Sequence, residues 1–259
     1  MNIDTMLCRL VDCYYSCKPQ KRQALARHPK LVAHRGEHDN RTVFENTLAA
    51  FDRAMGLGAW GIELDIRWTK DGHPVVIHDQ DCRRVFASDL RISQATLVEL
   101  KERVPLVPTL AEVIERYGTS LHLMIELKTE PYQPDYPAIL YDHLQPLKPC
   151  ADFHILSLNL ALFRYISEFP STVCLPVAEK NVRKFSRAAM TNGYGGLTGH
   201  YLLLNNRLVD QHRQLGQCIG TGFISSRNSL FRELNREVEW IFTNCTERLC
   251  SYLEQEILQ

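Results

Sequence analysis

Gly61-Ile62-Glu63-Leu64-Asp65-Ile66, followed after the turn Thr69-Lys70-Asp71-Gly72 by Val75-Val76-Ile77-His78-Asp79, decides how this chain is read. Both apolar runs carry carboxylates or histidine where buried strands usually stop at Gly, Asn or Pro. A third run, Leu31-Val32-Ala33, ends the same way in His34-Arg35-Gly36. Strands that end in His, Glu and Asp imply chemistry gathered at one edge of a sheet. Asp71-Gly72 supplies the positive φ of a tight turn and returns the chain so that His78 comes near Asp65.

Outward from this stretch, short apolar runs recur at Leu121 to Leu127, Phe153 to Leu156, Val173 to Val177, Cys218 to Ile224 and Val238 to Phe242. Between them, apolar residues three and four apart predict helices over Glu45 to Leu57, Leu110 to Tyr117, Leu160 to Phe169 and Leu203 to Leu215. Strand then helix, repeated about eight times, implies a parallel sheet. Even spacing without a GxGxxG opening favours the closed α/β form, a (β/α)8 TIM barrel with an extra N-terminal helix.

The bulk properties narrow the function. Lys+Arg and Asp+Glu both number 30 in 259 residues, so a polyanion such as nucleic acid is not an expected partner. Charges interrupt every apolar run short of the roughly 20 residues that span a bilayer. The nine cysteines are odd in number and form no CxxC pair, and no leader pattern precedes them, which predicts a cytoplasmic protein. Cys8, Cys13 and Cys17 near His28 fit no zinc template and read as free thiols. Residues 1–29 form a helical extension to a barrel domain over 30–259. Its stripe of Met6, Leu7, Leu10, Val11 and Tyr14, beside a basic segment, has two readings: a helix packed on the barrel, which is favoured, or a peripheral contact with anionic headgroups.

Glu63 and Asp65 lie two apart on one strand, so both side chains leave the same face. Glu126 joins them from the next strand, and three hard oxygen ligands suit a divalent cation, Mg2+ or Ca2+, better than zinc. Without a cation, three buried carboxylates repel one another. Lys128, two residues beyond Glu126, and Arg35 bring positive charge that implies an anionic substrate; a guanidinium fork and an ammonium together clamp a phosphodiester. His34 and His78 supply the proton chemistry, one deprotonating the attacking hydroxyl and the other protonating the leaving alkoxide.

His34-Arg35-Gly36, Glu45-Asn46-Thr47, Glu63-x-Asp65, Thr69-x-Asp71-Gly72-x-x-Val75-Val76-x-His78-Asp79, Pro108-Thr109-Leu110 and Ile125-Glu126-Leu127-Lys128 together resemble the glycerophosphodiester phosphodiesterase family. The resemblance is specific over residues 31 to 130 and weaker to about residue 247. It implies a TIM-type barrel, a divalent cation on Glu63, Asp65 and Glu126, acid/base work by His34 and His78, and phosphate contacts from Arg35 and Lys128. It further implies cleavage of glycerophosphodiesters to glycerol 3-phosphate and an alcohol, with lysophospholipids as a related substrate. Glu45-Asn46-Thr47 reads as a helix cap and a support for the site. Two departures bear on substrate: Thr221-Gly222-Phe223-Ile224-Ser225 stands where the family commonly has Trp and Asn, and Thr243-Asn244 replaces a Thr-Asp. They motivate an alternative, a non-catalytic barrel that binds phospholipid headgroups or phosphoesters.

Overall fold

The fold is that of a computed structural model, which describes residues 13–20, 29–128 and 133–257. Nine strands are present among them: β1 (Lys30–His34), β2 (Gly61–Trp68), β3 (Pro74–Val76), β4 (His122–Leu127), β5 (Phe153–Ser157), β6 (Cys174–Ala178), β7 (Gly196–His200), β8 (Cys218–Gly222) and β9 (Trp240–Thr243). β1 pairs with both β2 and β9, so the sheet closes on itself. All strands of the closed ring run parallel, and β3 is the exception, an antiparallel hairpin partner of β2. The expected TIM barrel is therefore present.

Register decides which residues share the interior. His34 sits opposite Glu63, Asp65 opposite Glu126, and Glu126 opposite Leu156. Because side chains alternate across a strand, these residues face inward while Ile62, Leu64 and Ile66 face the helices. The lower interior is filled by Val32, Met124, Leu156, Leu175, Trp240 and Phe242. Its floor is polar: the buried His122 and His154 lie ring to ring, with His122 stacked on Trp60.

The helix read over Glu45 to Leu57 runs Leu48–Gly56, capped by the Thr47 hydroxyl, which accepts from Ala50 N at 3.3 Å. Thr109 and Glu112 form a reciprocal capping box on Leu110–Tyr117. Leu160–Ile166 is a 3-10 helix, and the Leu203 to Leu215 pattern shortens to Asn206–Gln214. The apolar runs did not reveal β7. Gly196-Leu197-Thr198-Gly199-His200 has a single large apolar residue, because a Cβ at Gly196 would meet the Cys218 carbonyl oxygen at 1.9 Å.

Of the N-terminal extension, residues 13–17 are helical. Asn228 Nδ2 donates to the Ser16 carbonyl at 2.6 Å, and the Arg232 guanidinium lies 4.7 Å over the Tyr15 ring, so this turn rests on the helix Arg227–Asn235. Met6, Leu7, Leu10 and Val11 lie outside the described residues, as do Cys8 and His28. Cys13 and Cys17 are free and exposed. Among the described residues no helix is long and apolar enough to cross a membrane.

Candidate active site

The site begins where β1 ends. After His34 the chain turns through Arg35 at φ 59° and Gly36 at φ 79°, and a Cβ on Gly36 would stand 2.7 Å from Ala50 Cβ. Only glycine fits that approach. The turn is held by Arg35 N donating to the Glu63 carbonyl at 2.9 Å, and it folds the Arg35 side chain back over the mouth. There Arg35 Nη1 donates to Glu45 Oε1 at 3.0 Å, and Nε forms an ion pair with Asp65 Oδ2 at 3.1 Å. Asn46 Nδ2 donates to the same Asp65 oxygen at 2.8 Å.

Among the described residues, Glu63, Asp65 and Glu126 form a buried carboxylate group whose ligand oxygens lie within 4.8 Å of one another. Lys128 Nζ sits 2.6 Å from Asp65 Oδ1 and 2.5 Å from Glu126 Oε1. Three carboxylates thus face two cations, and one negative charge has no match. Burial, with Asp65 and Glu126 alongside, pushes the Glu63 carboxyl well above the usual range. Burial acts on Asp65 in the same sense, but Lys128 and Arg35 outweigh it and hold that carboxyl low. Glu63 Oε1 is buried without a hydrogen-bond partner among the described residues. An orphaned carboxylate oxygen beside two more hard oxygens is the donor set that a divalent cation fits.

The two histidines are held differently. His34 Nδ1 lies 2.7 Å from Asn244 Oδ1, an oxygen that can only accept, so Nδ1 carries the proton and Nε2 is bare, 3.7 Å from Glu63 Oε2. Burial, then Arg35, lowers its pKa to about 4. His78 follows β3, placed beside Asp65 by Ile77 N donating to the Asp65 carbonyl at 2.9 Å. Its Nδ1 donates to Asp79 Oδ1 at 2.7 Å. Burial lowers the His78 pKa as well, with Asp65 opposing and Lys128 and Arg35 assisting.

All seven residues read from the sequence therefore meet at the C-terminal rim of the barrel, the end at which this fold carries its sites. Four further contributors emerge from the contacts. Asn244 orients His34, Asp79 orients His78, and Glu45, read from the sequence as a support, orients Arg35; Asp79 and Glu45 lie within the quoted motifs and Asn244 was singled out as a departure. The fourth, Arg84, has no sequence signal: Nη1 and Nη2 grip Glu45 at 2.9 and 2.6 Å while Nε reaches Asp79 Oδ2 at 2.6 Å. Phe223 packs edge-on against His34, with centroids 4.6 Å apart, so the altered end of β8 meets the altered end of β9 around that histidine.

Residues 34–142 match the model of the glycerophosphoryl diester phosphodiesterase family. This segment of the chain is similar to that family. It is 44% identical over 111 residues to a glycerophosphodiester phosphodiesterase of Caldanaerobacter subterraneus, covering 38% of this chain and 45% of that protein. It is 45% identical over 80 residues to a probable glycerophosphodiester phosphodiesterase 1 of Mycobacterium tuberculosis, covering 31% of this chain and 28% of that protein. The chain thus spans less than half the length of these curated relatives. Solved structures are matched more fully. The glycerophosphodiester phosphodiesterase of Thermotoga maritima superposes with a TM-score of 0.74 at 25% identity, covering 89% of this chain and 99% of that one. An Oleispira antarctica phosphodiesterase in complex with the product sn-glycerol-3-phosphate gives 0.73 at 25% identity, covering 87% and 97%. The fold shared with these family members includes β5 to β9, where the sequence motifs fade.

Proposed function

We propose that this protein hydrolyses glycerophosphodiesters to glycerol 3-phosphate and an alcohol, with a divalent cation held by Glu63, Asp65 and Glu126. The observation that carries the reading is the joint placement of three buried carboxylates, two cations and two oppositely supported histidines on one rim. The similarity to an enzyme solved with sn-glycerol-3-phosphate points to the same product class.

Arg35 and Lys128 receive the phosphate oxygens and orient the phosphorus between the histidines. His34, backed by a neutral amide and with Nε2 bare, takes the proton of the attacking oxygen. His78, backed by the Asp79 carboxylate that favours an imidazolium, gives a proton to the departing alkoxide. A divalent cation, Mg2+ or Ca2+, held by Glu63, Asp65 and Glu126 would supply positive charge to offset the charge gathering on the phosphate oxygens. Leu158, Leu203 and Phe223, half-exposed beyond the ends of β5, β7 and β8, favour an alcohol with an apolar part, such as a lysophospholipid.

Incubation with a panel of glycerophosphodiesters and lysophospholipids, with each metal and with chelator, tests the activity. No release of glycerol 3-phosphate or of phosphorylated product from any of them leaves the alternative, a phosphoester-binding barrel without turnover. His34→Ala and His78→Ala each lower kcat at least roughly 10²-fold if the histidines move protons. With a p-nitrophenyl leaving group, which needs no proton, the loss in His78→Ala shrinks and that in His34→Ala does not. Equal losses on both substrates contradict the assignment of roles. We also propose that the extension over 1–29 serves the barrel and not a bilayer; equal flotation on anionic vesicles with and without those residues is the expected result.

A further inference from the structure

Arg84 lies outside the motifs quoted above, on the four-residue helix Arg83–Phe86, and yet among the described residues its side chain joins Asp79, beside His78, to Glu45, beside Arg35. Its guanidinium uses all three nitrogens on two carboxylates. Nη1 and Nη2 bind both oxygens of the buried Glu45, and Nε binds Asp79 Oδ2. Each carboxylate spends its remaining capacity on a residue of the site. Glu45 Oε1 also accepts from Arg35 Nη1 at 3.0 Å, and Asp79 Oδ1 accepts from His78 Nδ1 at 2.7 Å. Asn40 Nδ2 completes Glu45 at 2.8 Å from Oε2. The chain of contacts therefore runs His78, Asp79, Arg84, Glu45, Arg35, Asp65 without a gap wider than 3.1 Å.

From this geometry we infer that Arg84 is a positioning residue that ties the orientation of His78 to that of Arg35. The inference rests on the phosphodiesterase reading above. A carboxylate shared between two donors keeps its place only while both donors hold it. Without Arg84, Asp79 keeps only its contact with His78, and Glu45 is left to Asn40 and Arg35, so it can shift with Arg35 toward an anion. A single forked cation fixes both carboxylates together, so proton transfer and phosphate binding are set in one geometry. Lysine cannot reproduce the contact, because an ammonium lacks the planar fork that binds both oxygens of Glu45 while Nε reaches Asp79.

The experiment is a set of variants on the full chain: Arg84→Ala, Arg84→Lys, Asp79→Asn, Asp79→Ala, Glu45→Gln, the Asp79→Asn/Glu45→Gln double and the triple combination with Arg84→Ala. Outer partners of catalytic groups commonly contribute 10–100-fold to activity. Asp79→Asn is expected to act mainly on kcat and Glu45→Gln mainly on KM, each by about 10-fold, and Arg84→Ala on both, by about 100-fold in kcat/KM. Adding Arg84→Ala to the Asp79→Asn/Glu45→Gln pair changes kcat/KM by less than about 2-fold, since the residues act as one unit. Arg84→Lys recovers at most one of the two effects. Side-chain 15N spectra of His78 read the same link without turnover: Arg84→Ala and Asp79→Ala, which leaves no acceptor for Nδ1–H, both lose the Nδ1–H tautomer at neutral pH. A full multiplicative loss on top of the pair, or an Arg84→Ala protein in which the His78 tautomer is unchanged, overturns the inference. A wild-type protein that cleaves no phosphodiester overturns the functional reading instead, and the 15N spectra then decide the positioning role alone.

Discussion

Replacing Glu63 with Gln separates what the carboxylate cluster does for function from what it costs the fold. Three buried carboxylates face only Arg35 and Lys128, and Glu63 Oε1 has no hydrogen-bond partner among the described residues. Removing the unmatched charge with an isostere relieves a buried unsatisfied group, a gain of about 1–3 kcal/mol in the absence of metal. For a domain of this size each kcal/mol moves Tm by about 2–4 °C, so metal-free Glu63→Gln melts several degrees above metal-free wild type. A cation at 100 times its Kd stabilises wild type by about 2.7 kcal/mol, or roughly 5–11 °C. If loss of a ligand weakens binding about 100-fold, the same metal concentration gives Glu63→Gln only about 0.4 kcal/mol, near 1 °C. Thermal melts of both proteins with EDTA, Mg2+ and Ca2+ read all six states. Two results refute the reasoning: an undiminished metal shift in Glu63→Gln, or a metal-free variant less stable than wild type.

Acid should destabilise the barrel from its floor. His122 Nδ1 donates to the Ala151 carbonyl at 2.9 Å, so its Nε2 accepts from His154 Nδ1 at 2.8 Å, and no added proton fits between the rings. Burial lowers His122 to about 4 and His154 to about 3, so stability is full above about pH 6.5 and falls below it as the unfolded chain takes up protons that the folded one refuses. At pH 5 the pair accounts for about 4 kcal/mol, measurable as a falling urea midpoint. His154→Gln should reduce that slope by one proton, about 1.4 kcal/mol per pH unit, and an unchanged slope counts against the pairing. Gly36→Ala places a Cβ 2.7 Å from Ala50 Cβ at φ 79° and should cost roughly 2–4 kcal/mol in chemical denaturation, with weakened glycerol 3-phosphate binding as the Arg35 turn shifts.

The first half of the barrel was legible because its strands carry their own punctuation. Gly61 to Ile66 is an apolar run interrupted by carboxylates two apart, Leu121 to Leu127 carries Glu126 near its end, and the Asp71-Gly72 turn announces the hairpin that returns His78 to Asp65. β7 left no such trace. Its glycines lie against neighbouring backbone, Gly196 against the Cys218 carbonyl of β8 and Gly199 against the Ala178 carbonyl of β6, a fact of three-dimensional packing with no local pattern. The helices Tyr136–Leu144, Val182–Thr191, Arg227–Asn235 and Thr246–Ile257 were likewise not read out one by one, and followed only from the βα rhythm.

By itself the sequence determined the chemistry available: two histidines, three carboxylates, one Arg and one Lys at strand ends, and the alternation that places Glu63 and Asp65 on one face. Side-chain type and the period of two are local properties, readable residue by residue. What only the tertiary structure decided is which of these groups support one another. Strand register set His34 against Glu63 and Asp65 against Glu126, and closure of β1 on β9 brought Asn244 to His34 across 210 positions. A short-helix residue outside the quoted motifs, Arg84, became the joint between Glu45 and Asp79. Such links depend on the directions of side chains from separate elements, and no periodicity within one element encodes them.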